Sequence, residues 1–311
     1  MLAKIVKNKD LHIIVPCKNV IFGALVYKKE EKMTEAVKIV TFINILFIIL
    51  LMVSGTVGGI VGEIVYYLAF FAPIAVGFYS AKGLKYKREE IAGVAEQRER
   101  FLDFRRDDIK TLLPLIAPTV MTVFTVSLIT SLFLSLFGVK SPPVEEKGLV
   151  TMLLVNALVP AVLEEALFRY IPMKLLLPYS KRLCVIYSAL YFALIHCSFS
   201  KMPYAFIAGT AFMIINISIG SVWPSLVLHF LNNVASVIWI KYCSGLFASV
   251  MFISILAALT IVSAVFIYKN HRAYRDLFCG ALDKGEAVRN TYAPLALILI
   301  TCYIASVNIF T

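Results

Sequence analysis

Residues 246–268 read LFASVMFISILAALTIVSAVFIY, without one charged side chain. As a helix rising ~1.5 Å per residue, this run is long enough to cross a ~30 Å hydrocarbon core. Lipid satisfies no backbone polar group, so a segment inside it must be a helix or a barrel strand. Continuous apolar character with no period-2 alternation selects the helix. Similar segments lie at 36–54, 57–81, 111–138, 149–177, 183–200, 203–220 and 222–241, and a last one at 292–310. The expected fold is an all-α polytopic transmembrane bundle of about eight to nine helices.

Composition agrees. Hydrophobic residues make up 60% of the chain and charged residues 16%, against roughly 25% charged in a soluble domain. Cys17, Cys184, Cys197, Cys243, Cys279 and Cys302 form no Cys-x-x-Cys pair. They read as small buried hydrophobes, not as a disulfide or zinc framework.

The net charge of +11 is mostly a topology signal. With the N-terminus inside, the inner segments 1–38, 82–110, 169–182 and 269–291 hold 8, 9, 4 and 5 Lys or Arg; the outer loops hold only Lys140, Lys147, Lys201 and Lys241. Cytoplasmic loops carry such an excess. The chain therefore reads as an integral protein of a bacterial-type plasma membrane with a cytoplasmic N-terminus and the bilayer as its partner, not as a nucleic-acid binder.

Four regions follow. Residues 1–35 form a basic N-terminal segment whose apolar stretch Leu11–Tyr27, interrupted by His12 and Lys18, reads as interfacial. Residues 36–148 carry the first three spans and the basic cytoplasmic loop 82–110. Residues 149–241 form the core with polar intramembrane groups, and 242–311 the C-terminal spans. Gly55-x-x-x-Gly59 and Gly58-x-x-x-Gly62 read as packing within the bundle. Glu63 reads as interfacial or packing and His271 as solvated.

Ionisable groups inside a membrane helix are expensive and mark function. They gather in the run Glu164-Glu165-Ala166-Leu167-Phe168-Arg169, in Phe192-Ala193-Leu194-Ile195-His196, and in His229-Phe230-Leu231-Asn232-Asn233. Glu165 and Arg169 are four apart and share a face, which leaves Glu164, turned about 100° away, unpaired. His229 and Asn233 also share a face. Phe192 lies one turn before His196 and is placed to buttress its ring. Pro160 removes a backbone donor and is expected to kink its helix, opening a path for water.

A carboxylate in a low-dielectric pocket can take a proton from water and return it. One histidine beside it can orient that water, and a second with an amide can donate to an oxyanion. The bland readings are a structural Glu–Arg cluster and satisfied core histidines. No Ser or Cys nucleophile with a base stands out.

The three motifs Glu-Glu-x-x-x-Arg, Phe-x-x-x-His and His-x-x-x-Asn, in order on separate apolar helices, resemble the signatures of CAAX-protease and bacteriocin-processing membrane proteins, which include type II CAAX prenyl endopeptidases. The run Gly220-Ser221-Val222-Trp223-Pro224-Ser225 is also family-like. The resemblance covers about residues 149–240. It implies an intramembrane endopeptidase acting on a peptide or prenylated-protein substrate. Glu164 would be the activating base, with His196 helping to hold the water. His229 and Asn233 would stabilise the oxyanion, and Glu165, Arg169 and Phe192 would be supports. No cofactor is favoured; zinc held by Glu164, His196 and His229 is the alternative. Tyr170, where a glycine is common, and the absence of repeated glycines in the sixth span depart from the pattern. A scaffold or bacteriocin-immunity protein of the same fold is the second reading, and a proton-coupled carrier the third.

Overall fold

A computed structural model describes residues 17–92, 102, 105–137, 148–243 and 245–279. The predicted span 292–310 and the part of the interfacial segment before Cys17 lie outside the described residues. Within them there are nine helices and no strand: α1 (Cys17–Val57), α2 (Gly59–Ala92), α3 (Arg106–Ser135), α4 (Leu149–Leu175), α5 (Lys181–Leu194), α6 (Met202–Ile219), α7 (Trp223–Tyr242), α8 (Leu246–Lys269) and α9 (His271–Cys279). Seven of these, α1 to α4 and α6 to α8, are long and apolar enough to cross a membrane. The protein is thus an all-α, polytopic integral membrane protein.

Helices α1 and α2 form a hairpin. Its turn places Gly58 and Gly59 at φ 65° and 56°, the left-handed region that glycine enters without a Cβ clash. Ser54 Oγ donates to Gly62 O at 2.8 Å, so the expected small-residue packing is a contact inside this turn. Phe47 of α1 meets Phe70 of α2 edge-on at 4.8 Å and Phe168 of α4 at 5.8 Å.

Helix α4 is one rod with two widened turns. π-Helical geometry covers Leu153–Leu158 and Ala166–Tyr170, and each is followed within two residues by a proline, Pro160 and Pro172. The N–H groups of Val159 and Ile171 donate to Leu154 O and Ala166 O, five residues back. A proline ring collides with the carbonyl four residues earlier, and a widened turn relieves that crowding. The expected distortion at Pro160 is therefore a π turn on its N-terminal side.

Helix α5 differs most from its sequence reading. The predicted span 183–200 ends as a helix at Leu194, and 14 residues rise only about 21 Å. Ser180 caps its start by accepting from Leu183 N–H at 3.3 Å. The helix is nearly enveloped: Leu183, Cys184, Tyr187, Ser188, Tyr191 and Phe192 are all buried. Tyr191 and Thr41 of α1 share a hydrogen bond of 2.7 Å, and Ser188 Oγ donates to Phe168 O of α4 at 2.6 Å. Burial in protein, not in lipid, is what a short segment at membrane depth needs. Helix α8, by contrast, buries no residue.

Helices α5 and α6 pack as a hairpin at a glycine. A Cβ on Gly209 would lie 2.9 Å from Ala189 Cα, a backbone atom that cannot yield without the helices separating. Gly209→Ala is expected to destabilise the bundle by about 1–3 kcal/mol, read as a lower unfolding midpoint of the purified protein in detergent. An unchanged midpoint would show that the interface tolerates the methyl.

Candidate active site

Helix α7 is aimed by its start. Gly220, at φ 80°, ends α6 in the left-handed conformation common at helix C-termini. Asn216 then clasps the next helix: its Nδ2 donates to Ser225 Oγ at 2.6 Å, and its Oδ1 accepts from Ser225 N–H at 3.0 Å. One turn beyond Ser225, His229 points at α4.

There His229 meets both carboxylates. Its Nδ1 lies 2.8 Å from Glu165 Oε1, and its Nε2 lies 3.7 Å from Glu164 Oε2. A carboxylate oxygen only accepts, so Nδ1–H is the donor to Glu165. Glu165 Oε2 lies 3.6 Å from Arg169 Nε. The Arg169 guanidinium is fully buried and has no hydrogen-bond partner among the described residues. Its central carbon sits 4.1 Å from the Phe192 ring centroid, a cation–π contact. Glu165 thus touches the arginine and the histidine together, whereas Glu164 keeps 16% of its side chain exposed.

His196 follows immediately after α5. Its Nδ1 is 2.8 Å from Phe192 O; the carbonyl only accepts, so Nδ1 donates and Nε2 is left free. Phe192 meets the rings of His196 and His229 edge-on, with centroids at 5.2 and 5.5 Å. One aromatic ring therefore spaces both imidazoles and carries the arginine. Tyr204 stands 6.2 Å from His196, edge to face.

A cavity of about 370 Å³ opens beside these groups, lined by His196, His229, Asn233, Tyr204 and Phe212, with α3 as its far wall. The structure therefore brings Glu164, Glu165, Arg169 and Phe192 around His229, and places His196, His229 and Asn233 on one cavity. Among the described residues no group of three His, Cys, Asp or Glu side chains is disposed to hold a metal ion.

Three features were not read from the sequence. The first is the Glu165–His229 bond, hidden because Glu165 had an obvious partner four residues on. The second is the Asn216–Ser225 clasp, two polar residues nine apart across a Gly-Ser turn. The third is the α3 wall, whose only signal is Ser127 and Ser131 in an apolar run.

A bundle of membrane helices that sets two carboxylates against an imidazole, with that imidazole, a second one and an amide lining one cavity, belongs to the class of intramembrane proteins with a buried polar site. More particularly, residues 146–235 match the family model of the type II CAAX prenyl endopeptidase Rce1-like proteins. The match takes in α4 through most of α7, with Glu164, Glu165, Arg169, Phe192, His196, His229 and Asn233, and leaves out the α3 residues that line the cavity. Comparison with curated proteins and with solved structures gives no match.

Proposed function

We propose that the protein is an intramembrane endopeptidase in which Glu164 activates water for attack on a peptide bond. The supporting observation is the position of Glu164: partly open, 3.7 Å from His229 Nε2, while its neighbour Glu165 is engaged by His229 and Arg169. In this reading Glu164 takes a proton from water held with His196 as the hydroxyl adds to the scissile carbonyl carbon. His229 Nε2 and the Asn233 amide donate to the oxyanion. Donation from Nε2 requires the ring to carry both protons, with Glu165 accepting at Nδ1. Collapse of the intermediate expels the amine, which takes the proton back from Glu164. The substrate is a peptide or a prenylated protein reached within the bilayer.

Turnover of a peptide library by purified protein, wild type against Glu164→Ala, tests the reading; equal cleavage by both would overturn it. Asn233→Ala is expected to lower kcat by about 10²–10³-fold with little change in KM, measured on the same peptide. Attack needs no metal in this scheme, so active protein should survive exhaustive chelation. One equivalent of zinc lost and regained with activity would refute that point.

The same reading places the site with a cytoplasmic N-terminus in a bacterial-type plasma membrane, as the basic loops suggest. Reporter fusions after Lys110 and after Arg289 are expected to register as cytoplasmic; an external signal at either would reverse the orientation.

A further inference from the structure

The far wall of the cavity carries hydroxyls of an unusual kind. Small polar residues in membrane helices commonly bond back to the carbonyl a turn earlier. Thr119, Thr122, Thr130, Thr210 and Thr260 all do so, at 2.6 to 2.9 Å. Ser127 and Ser131 of α3 line the cavity, are partly buried, and make no such bond among the described residues. Asn232 and Asn233 of α7 line the same cavity, and neither side-chain amide has a hydrogen-bond partner among the described residues.

Spacing gives these groups a ligand. Ser127 and Ser131 are four residues apart, about 6 Å along the helix. In an extended chain, groups on one edge recur every second residue, about 6.6 Å. His229 and Asn233 repeat the same interval on α7. A polypeptide unwound inside a bilayer has lost its helical hydrogen bonds and must find replacements in protein. Trp223 Nε1 donates to Leu102 O at 2.7 Å and Phe124 meets Trp239 at 4.9 Å, so α3 and α7 run in the same direction, and Ser127 and Ser131 supply such groups past the level of Trp239, further along the cavity than His229 and Asn233.

We propose that Ser127 and Ser131 are positioning residues that bind the main chain of an extended substrate peptide on one side of its scissile bond, further along the cavity from the carbonyl that His229 and Asn233 receive. The inference rests on the endopeptidase reading and deepens it: α3, which lies outside the family match, becomes part of substrate recognition. Recognition through the main chain makes this subsite tolerant of side-chain identity. Apart from the histidines and Asn233, the cavity offers neutral hydroxyls and amides and the aromatic walls Phe124, Phe212 and Trp239, so it takes an uncharged, apolar stretch.

Threonine and valine have nearly the same shape and differ by the hydroxyl, so the pair Ser127→Thr/Ser131→Thr against Ser127→Val/Ser131→Val isolates the hydrogen bonds. Two measurements are made with a short fluorescent Ala/Leu peptide in detergent: cleavage kinetics, and direct binding to the same variants built on Glu164→Gln. The Val pair is expected to raise KM and Kd by about tenfold relative to the Thr pair, with kcat within about twofold. Equal Kd for the two pairs, or a loss confined to kcat, would overturn the proposal. The binding arm does not depend on turnover. A wild type that binds the peptide in a hydroxyl-dependent way yet never cleaves it would sink the endopeptidase reading while sparing the subsite. A wild type that cleaves with KM and Kd indifferent to the hydroxyls would do the reverse.

Discussion

Replacing Glu164 with glutamine is expected to lower turnover by about 10⁴-fold, the upper end of what a general base contributes, with the unfolding midpoint held close to wild type. The amide keeps the shape of the carboxylate but cannot accept water's proton. The neighbouring carboxylate, Glu165, is bonded to His229 at 2.8 Å and faces Arg169 at 3.6 Å, so it cannot take over without releasing both. The fold should tolerate the change because Glu164 makes no hydrogen bond among the described residues; its contact with His229 Nε2 is 3.7 Å. Single-turnover cleavage and thermal unfolding of the same preparation check both halves.

Glu165→Gln is expected to act in the opposite proportion. Arg169 is fully buried, and Glu165 is the acidic partner in contact with it. Removing one partner of a buried pair costs about 3–5 kcal/mol, a large share of the stability of an ordinary domain. The unfolding midpoint should fall sharply. Activity per folded molecule should fall as well, since a neutral amide holds His229 less firmly than a carboxylate. A Glu165→Gln protein as stable as wild type but inactive, beside an active Glu164→Gln, would show that the two carboxylates have exchanged roles.

Much of this was legible because membrane helices write their constraints plainly. Hydrocarbon forbids charge, so the spans and the few residues that violate them stood out together, and Glu164, His196 and His229 were singled out before any fold was known. An apolar run looks the same whether it faces lipid or lies enveloped by neighbours, so the pattern predicts a span over 183–200 where the helix stops at Leu194. The same pattern shows Glu165 only its partner Arg169. Spacing along one helix can suggest that pair, but the bond to His229, 64 residues away, is set by how α7 leaves its turn. The hydroxyls of α3 were overlooked because a serine among apolar residues has no period to betray it.

The short hairpin of α5 and α6 has a mechanical consequence for the surrounding lipid. Helix α6 presents Phe206 and Ile207 outward, yet its 18 residues reach only about 27 Å, short of a typical ~30 Å core. Acyl chains against this side must compress, and a bilayer resists compression elastically at a fraction of a kcal/mol per Å. The bundle should therefore sit with least strain in membranes of short-chain lipid, and thicker bilayers should press this flank to tilt. Because His196 stands at the tip of that hairpin, bilayer thickness becomes a variable that acts on the spacing of the site itself.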